Sequence, residues 1–345
     1  MTMRSRSALA PVLGAALTAA LTAALTACDD APSIFRTAGP VADRLATLGW
    51  ALTITSCVVV AVVAALVLAA LLRSRPERGD EIARSGPDSG VRWILVGGVI
   101  VPAIVLVAAF VFTLATQTAV AAPARRAAAT VRIVGHRWWW EVTYVGTDSV
   151  SGTVTTANEL HLPVGQPVQL ELTSDDVIHS FWVPSLAGKT DLIPGQKNRM
   201  WIQADSAGSY WGQCAEYCGL QHAHMDLVVV AEPASEFRRW LATQRESAHE
   251  PASADEAHGR AVFLASPCAA CHTIRGTGAL GRVGPDLTHL GSRATLAAGA
   301  LPNTRGDLAG WVANAQAIKP GSGMPSMTLA PGDLQLLVTY LESLR

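Results

Sequence analysis

The segment Cys214-Ala-Glu-Tyr-Cys218-Gly-Leu-Gln-His222-Ala-His-Met225 gathers two thiols, an imidazole and a thioether into one short stretch. Upstream, Ile178-His179-Ser180 offers a second imidazole. Sulfur and imidazole ligands suit copper and zinc far better than magnesium or calcium. A mononuclear electron-transfer copper takes one Cys, two His and a weak axial Met, and Cys218, His179, His222 and Met225 form that set. Cys214 is one thiolate too many for a single copper and enough to bridge a second. The Cys/His set alone also allows zinc, and the spacing of 214, 218 and 222 would line one face of a helix. Gly212 and Gly219 favour a loop, and Met225 at the axial offset favours copper. His136, His161 and His224 read as structural or surface residues.

A second constellation is Cys268-Ala-Ala-Cys271-His272, the pattern of covalent c-type haem attachment. The same run can serve as a redox dithiol or as part of a zinc site. An exported setting, a downstream Met-Pro pair and a neighbouring copper motif favour haem. His272 would be one axial ligand, and a distal Met would raise the reduction potential. Met324 and Met327 in Lys319-Pro-Gly-Ser-Gly-Met324-Pro-Ser-Met327 are the candidates. Of six cysteines, Cys28 and Cys57 remain, both in apolar surroundings, so no structural disulfide pair stands out.

These motifs need scaffolds and an anchor. The 345-residue chain is 50% hydrophobic, with mean hydropathy +0.29, net charge −1 and no basic run. Nucleic-acid binding therefore has no electrostatic support. Residues 1–28 run from a basic start (Arg4, Arg6) through an Ala/Leu-rich stretch to Leu25-Thr-Ala-Cys28, a secretory signal that resembles a lipoprotein lipobox with Cys28 as the lipidated residue. One lipid chain anchors weakly. Residues 45–72 and 93–115 carry no charge and each exceeds the roughly 20 residues needed to span a bilayer. The loop 73–92 holds Arg73, Arg75, Arg78, Arg84 and Arg92, which places it in the cytoplasm and the later residues outside. Gly97, Gly98 and Pro102 in the second span suit close helix packing, and equally are residues that a membrane helix tolerates.

After an Ala-rich linker, residues 130–233 alternate as β-strands: Val131–Val134, Glu159–Pro163, Val168–Leu172 and Leu227–Val230, with Gly/Pro/Asp turns between. A compact β-sandwich or barrel is expected. In Trp138-Trp139-Trp140, alternate rings would be buried. Residues 234–254 read as a helix, with Phe237, Trp240 and Leu241 on one face, followed by a polar linker. Residues 255–345 read as a helical domain, its last helix at Pro331–Leu344 with Leu334, Leu337, Val338 and Leu341 facing the core.

His179-Ser-Phe-Trp-Val-Pro, Lys189-Thr-Asp-Leu-Ile-Pro-Gly, the Cys214 loop and Gly135-His-Arg-Trp138-Trp-Trp140-Glu, behind a two-helix hairpin, resemble subunit II of haem–copper cytochrome c oxidases over roughly residues 41 to 240. The C-terminal segment resembles class I cytochromes c, with Gly284-Pro285 as the haem-packing loop and Met324-Pro325 as the axial Met. Together they resemble the caa3 type, in which a cytochrome c is fused to subunit II.

The resemblance implies a multidomain membrane protein: a transmembrane hairpin, an all-β cupredoxin-like Greek-key barrel, and an all-α cytochrome c domain. It implies a binuclear CuA centre with Cys214 and Cys218 bridging two coppers and His179 and His222 on one copper each. Met225 and the Glu216 carbonyl complete the set, and the Glu216 side chain faces a magnesium shared with the catalytic subunit. Trp138 takes the position where electrons arrive from cytochrome c, and Cys268, Cys271, His272 and Met324 would hold haem c.

The implied function is to pass electrons from haem c to CuA and on to subunit I, which reduces O2 to water. Partners would be subunit I, other oxidase subunits, the membrane, and a bc1-type complex or external cytochrome c as donor. The implied location is the bacterial plasma membrane, with both redox domains on its outer face. Gln196 stands where many members carry Arg. The spans hold no Asp or Glu, leaving Glu77 and Glu81 as weak substitutes for the acid at the mouth of a proton path. Rival readings are the CuA subunit of a nitric oxide reductase and a membrane-anchored copper-delivery protein.

Overall fold

The computed structural model describes residues 32–72, 87–123, 125–145 and 152–345. The signal segment with Cys28, and Arg73, Arg75, Glu77, Arg78, Glu81 and Arg84, lie outside the described residues. Helix α1 (Pro40–Leu72) starts on a proline, whose fixed φ suits a first helical turn. It packs against a second apolar helix made of α2 (Pro87–Leu95), a π-helical turn at Val96–Ile100, and α3 (Val101–Val120). Pro102 offers no N–H and crowds the carbonyl four residues back. Just before it the helix widens, with the Val101 N–H bonded to the Val96 carbonyl across Gly97 and Gly98.

Both helices have the length and apolarity to cross a bilayer, and their most apolar 18-residue stretches, with mean hydropathies of 2.8 and 2.9, bury no residue. The second helix outruns residues 93–115 at both ends, continuing through Thr116 and Thr118, whose hydroxyls donate to the Phe112 and Ala115 carbonyls of the preceding turn. The chain after α3 is fixed at once: Trp201 Nε1 donates to the Val120 carbonyl at 2.8 Å, and Arg44 Nη1 to the Ala119 carbonyl at 2.8 Å.

Among the described residues ten strands follow: β1 (Ala129–His136), β2 (Trp139–Val145), β3 (Val154–Ala157), β4 (Glu159–Pro163), β5 (Val168–Ser174), β6 (His179–Trp182), β7 (Thr190–Leu192), β8 (Asn198–Ile202), β9 (Gly208–Cys214) and β10 (Asp226–Glu232). They form two five-stranded sheets, ordered β3-β2-β1-β5-β8 and β4-β10-β9-β6-β7. The parallel pairs β1/β5 and β4/β10 mark the crossovers of a cupredoxin-like fold. Alternation in β1 and β5 buries Val131, Ile133, Val168, Leu170 and Leu172 between the sheets, around Trp140 and Phe181. Trp138 and Trp140 are the buried rings of the tryptophan run, whereas Trp139 stacks on His136.

Helix α4 (Ala234–Thr243) closes this domain by burying Phe237 and Leu241, with Trp240 stacked on His161. The last domain has its own core of Phe263, Leu337, Val338, Tyr340 and Leu341. It is built from α5 (Ala254–Ala265), the short α6 (Cys268–Cys271), α7 (Arg305–Ala313), α8 (Ala315–Ile318) and α9 (Pro331–Ser343). Ser253 and Thr304 cap α5 and α7 by accepting the N–H of Glu256 and Asp307. One short ladder, β11 (Thr295–Leu296) with β12 (Leu301–Pro302), joins the helices.

Candidate metal and haem sites

The first site lies at the end of the β4-β10-β9-β6-β7 sheet. His179 opens β6, Cys214 ends β9, and the loop between β9 and β10 supplies Glu216, Cys218, His222 and Met225. Pairing of Phe181 with Cys214 sets β6 beside β9, so His179 and the loop meet at one edge. The donors converge. The Cys214 and Cys218 sulfurs are 3.8 Å apart, and both residues are buried. Cys214 Sγ lies 3.9 Å from His179 Nδ1 and 3.2 Å from the Glu216 carbonyl oxygen. Cys218 Sγ lies 3.6 Å from His222 Nδ1 and 3.9 Å from the Met225 sulfur. All six residues named from the sequence are thus brought together, around a pair of free thiols. His161 and His224 lie elsewhere, engaged with Glu232 and Gln221 respectively.

Electrostatics favour loss of one proton from this cluster, that of Cys214. A hydrogen bond from the Cys218 thiol, reinforced by one from His179, draws the Cys214 thiol well below the usual range against the cost of burial. That same shared proton, together with burial, pushes Cys218 up. Burial opposes charge on His179, but hydrogen bonds to Cys214 and Asp176 outweigh it and raise its pKa. Two thiolates, two imidazoles, a thioether and a carbonyl in a buried pocket fit soft, thiolate-binding metal ions.

Two residues that the sequence did not single out shape this cluster. Asp176 Oδ1 sits 2.8 Å from His179 Nε2, which leaves Nδ1 facing the sulfurs; carboxylates behind a ligating imidazole fix its tautomer and aim. Its position three residues before His179 was the available signal. Gly135 is the other: a Cβ there would sit 2.8 Å from His179 Cδ2, so β1 can approach the ring only as glycine. Trp138 backs the loop, its indole Nε1 donating to the Cys218 carbonyl at 3.0 Å. The Glu216 carboxylate is half-exposed and lies 3.6 Å from Lys189 Nζ.

The second site is Cys268 and Cys271 at the two ends of α6, followed by His272. His272 Nδ1 lies 2.8 Å from the Pro285 carbonyl, which leaves Nε2 for an axial bond. Gly284 packs on this ring, where a Cβ would come within 2.6 Å of it. Burial holds the imidazole below its usual pKa, in the neutral ligating form. The apolar side chains of Leu280 and Val283, 73% and 75% exposed, stand on the chain between His272 and Pro285. Paired thiols, a tethered neutral imidazole and apolar surface fit a covalently attached porphyrin. Met324 and Met327 are both half-buried ahead of α9, and the Met324 carbonyl accepts from Gln316 Nε2 at 2.7 Å.

Comparison with known proteins matches the two domains in which these residues lie. Residues 129–232 match the family described as cytochrome c oxidase subunit II, periplasmic domain, and residues 256–345 match the cytochrome c family. The chain is 37% identical over 216 residues to cytochrome c oxidase subunit 2 of Alkalihalophilus pseudofirmus, covering 62% of this chain and 61% of that one. It is 28% identical over 332 residues to cytochrome c oxidase subunit 2 of Bacillus subtilis, covering 91% and 92%. The chain therefore spans about three fifths of the first relative's length and nearly all of the second's. The solved periplasmic domain of subunit II of cytochrome oxidase of Bradyrhizobium japonicum aligns with 29% identity and a TM-score of 0.33, over 36% of this chain and 97% of that one. Behind a pair of apolar helices the chain thus carries, in succession, a domain matching the cytochrome c oxidase subunit II periplasmic domain and a C-terminal cytochrome c domain.

Proposed function

We propose that this chain is the electron-input subunit of a haem–copper oxidase, taking electrons at a covalent haem c and handing them through a binuclear CuA centre to the catalytic subunit, where O2 is reduced to water. The observation that carries the reading is the pair of buried thiols 3.8 Å apart, ringed by His179, His222, Met225 and the Glu216 carbonyl, in one chain with a Cys-x-x-Cys-His domain. When bound, the two groups supply one-electron redox chemistry and no bond-making chemistry.

The chain's own residues hold and shield them. Cys214, Cys218, His179, His222, Met225 and the Glu216 carbonyl would hold the two coppers. Asp176 and Gly135 fix the His179 ring, so the ligands need not rearrange when charge changes. Trp140, Phe181 and Leu192 keep water from behind the cluster. Cys268, Cys271, His272 and Met324 would hold the haem, with the Pro285 carbonyl orienting the His272 ring. Trp138, between the two domains, is assigned to electron input at the copper site.

The Glu216 carboxylate, near Lys189, would meet a magnesium at the border with subunit I. Partners would be subunit I, the remaining oxidase subunits, and a bc1-type complex or external cytochrome c. The helix pair would anchor the chain in the bacterial plasma membrane with both redox domains outside. The all-β fold around the thiols argues against a thioredoxin-like copper-delivery protein.

The test is copper and haem analysis of the purified chain. Two coppers and one covalent haem are expected, with Cys218→Ser losing the copper pair and keeping the haem. A zinc-loaded cluster, or full copper retention in Cys218→Ser, would contradict the assignment.

A further inference from the structure

Lys319 belongs to the cytochrome c domain, yet its side chain reaches into the neighbouring β-domain. It is only 2% exposed. Its Nζ donates to the Trp138 carbonyl at 2.8 Å and the His224 carbonyl at 2.6 Å, both in the β-domain, and to the Ala297 carbonyl of its own domain at 2.8 Å. An ammonium has three N–H donors and no acceptor, so these carbonyls use all of them. Lysine is almost never fully buried without such partners, because its charge must leave water. Burial draws its pKa down to about 7, opposed by the negative charge of Asp226.

The contacts around it form a continuous seam. Gln221 Nε2 donates to the Pro320 carbonyl at 2.8 Å. The Asp226 N–H donates to the Ala298 carbonyl at 3.0 Å, and the Ala294 N–H to Glu159 Oε1 at 2.5 Å. The Trp138 ring lies against Gly219 of the copper loop and Gly321 of the cytochrome c domain. Two hydrogen bonds in series thus link Lys319 to the copper loop through one residue: Lys319 Nζ to the Trp138 carbonyl across the domain border, and Trp138 Nε1 to the Cys218 carbonyl.

We propose that Lys319 is a positioning residue, a buried tie that locks the cytochrome c domain onto Trp138 and the copper loop and so fixes the haem site relative to the copper site for electron transfer between them. The inference rests on the copper and haem assignments above. The transfer concerned is one electron: iron passes from ferrous to ferric, the oxidised copper pair gains that electron, and Lys319 itself exchanges nothing. The side chain acts by geometry, holding the loop that leads into Met324 against the loop between His222 and Met225.

The test uses the full chain with both groups bound and its wild-type copper and haem content confirmed. An electron is injected photochemically at the haem, and its arrival at the copper pair is followed optically. Lys319→Met keeps the length of the stem and removes the charge and donors. Exchange is expected to slow by as much as about tenfold, the change in the docked population when about 1.4 kcal/mol of interdomain contact is lost. Haem and copper spectra and both midpoint potentials should stay at wild-type values, and Lys319→Arg should recover part of the rate.

If Lys319→Met does not retain both groups, Gln221→Ala on the same seam is measured in its place, with slowed exchange again expected. An unchanged rate in whichever variant keeps both groups would overturn the proposal, as would a slower rate that tracks a shifted midpoint potential. Wild-type protein lacking a copper pair would instead remove the reading beneath it.

Discussion

The indole of Trp138 donates to the Cys218 carbonyl at 3.0 Å, tying a ring at the domain border to the backbone of a thiol ligand. Trp138 is 8% exposed, because the cytochrome c domain covers the ring through Gly321. Trp138→Phe keeps an aromatic side chain, smaller than indole, and removes the donor. Its expected effect is slower haem-to-copper exchange, with copper content unchanged. Loss of copper from this variant would show that the indole serves the metal site and not the transfer.

Asp176 governs the aim of His179. Asp176→Asn keeps an oxygen near the ring but loses the negative charge that favours the ligating tautomer. Copper affinity should fall by about 10- to 100-fold, the usual effect of losing a carboxylate behind a metal-bound imidazole. Competition against a chelator of known affinity measures this, and an unchanged affinity would contradict it.

Gly135→Ala tests the approach of β1 to the same ring. The added methyl would lie 2.8 Å from His179 Cδ2, with strand β1 on one side and a buried imidazole on the other. Overpacking of this kind costs about 1–3 kcal/mol. Denaturant midpoints should fall accordingly, and copper loading with them.

The strands were legible because one face of each is buried. Val131 and Ile133, or Val168, Leu170 and Leu172, alternate in the chain as they do in space. The ligand loop was legible because five of its six donors lie within a dozen residues, and only His179 had to be recruited from afar. What could not be read was set by tertiary contact. Nothing local to Lys319 marks it as buried, since its three acceptors come from residues 138, 224 and 297. Gly135 looks like any strand glycine until β6 lies beside it. The second helix overran its expected bounds because charge and hydropathy mark where a span can end, and backbone hydrogen bonding continues past that point.

His161 carries a pH dependence. It lies 2.9 Å from Glu232 and 3.8 Å from Glu159, stacked on Trp240. Burial opposes its charge, but hydrogen bonds to the two carboxylates outweigh burial and raise its pKa above 6.5. The folded state therefore binds the proton more tightly than the unfolded chain. The resulting stability is complete below about pH 6.5 and is lost as pH rises through the folded-state value. His161→Gln should thus cost most in mildly acid solution and progressively less in alkali, read from denaturation midpoints across that range. A cost that grew with pH would have the wrong sign.

The axial ligand of the haem can be assigned by substitution. Met324→Leu should lower the haem midpoint potential, because a thioether ligand raises it. Met327→Leu should leave the potential unchanged. The reverse pattern would move the ligand to Met327.

The most direct measurement is the electron paramagnetic resonance spectrum of the oxidised, copper-loaded chain. An unpaired electron shared between two coppers through Cys214 and Cys218 should give hyperfine structure from two equivalent nuclei, and Cys214→Ser or Cys218→Ser should abolish that pattern. Hyperfine structure from a single copper nucleus in the wild-type chain would contradict the shared-thiolate centre.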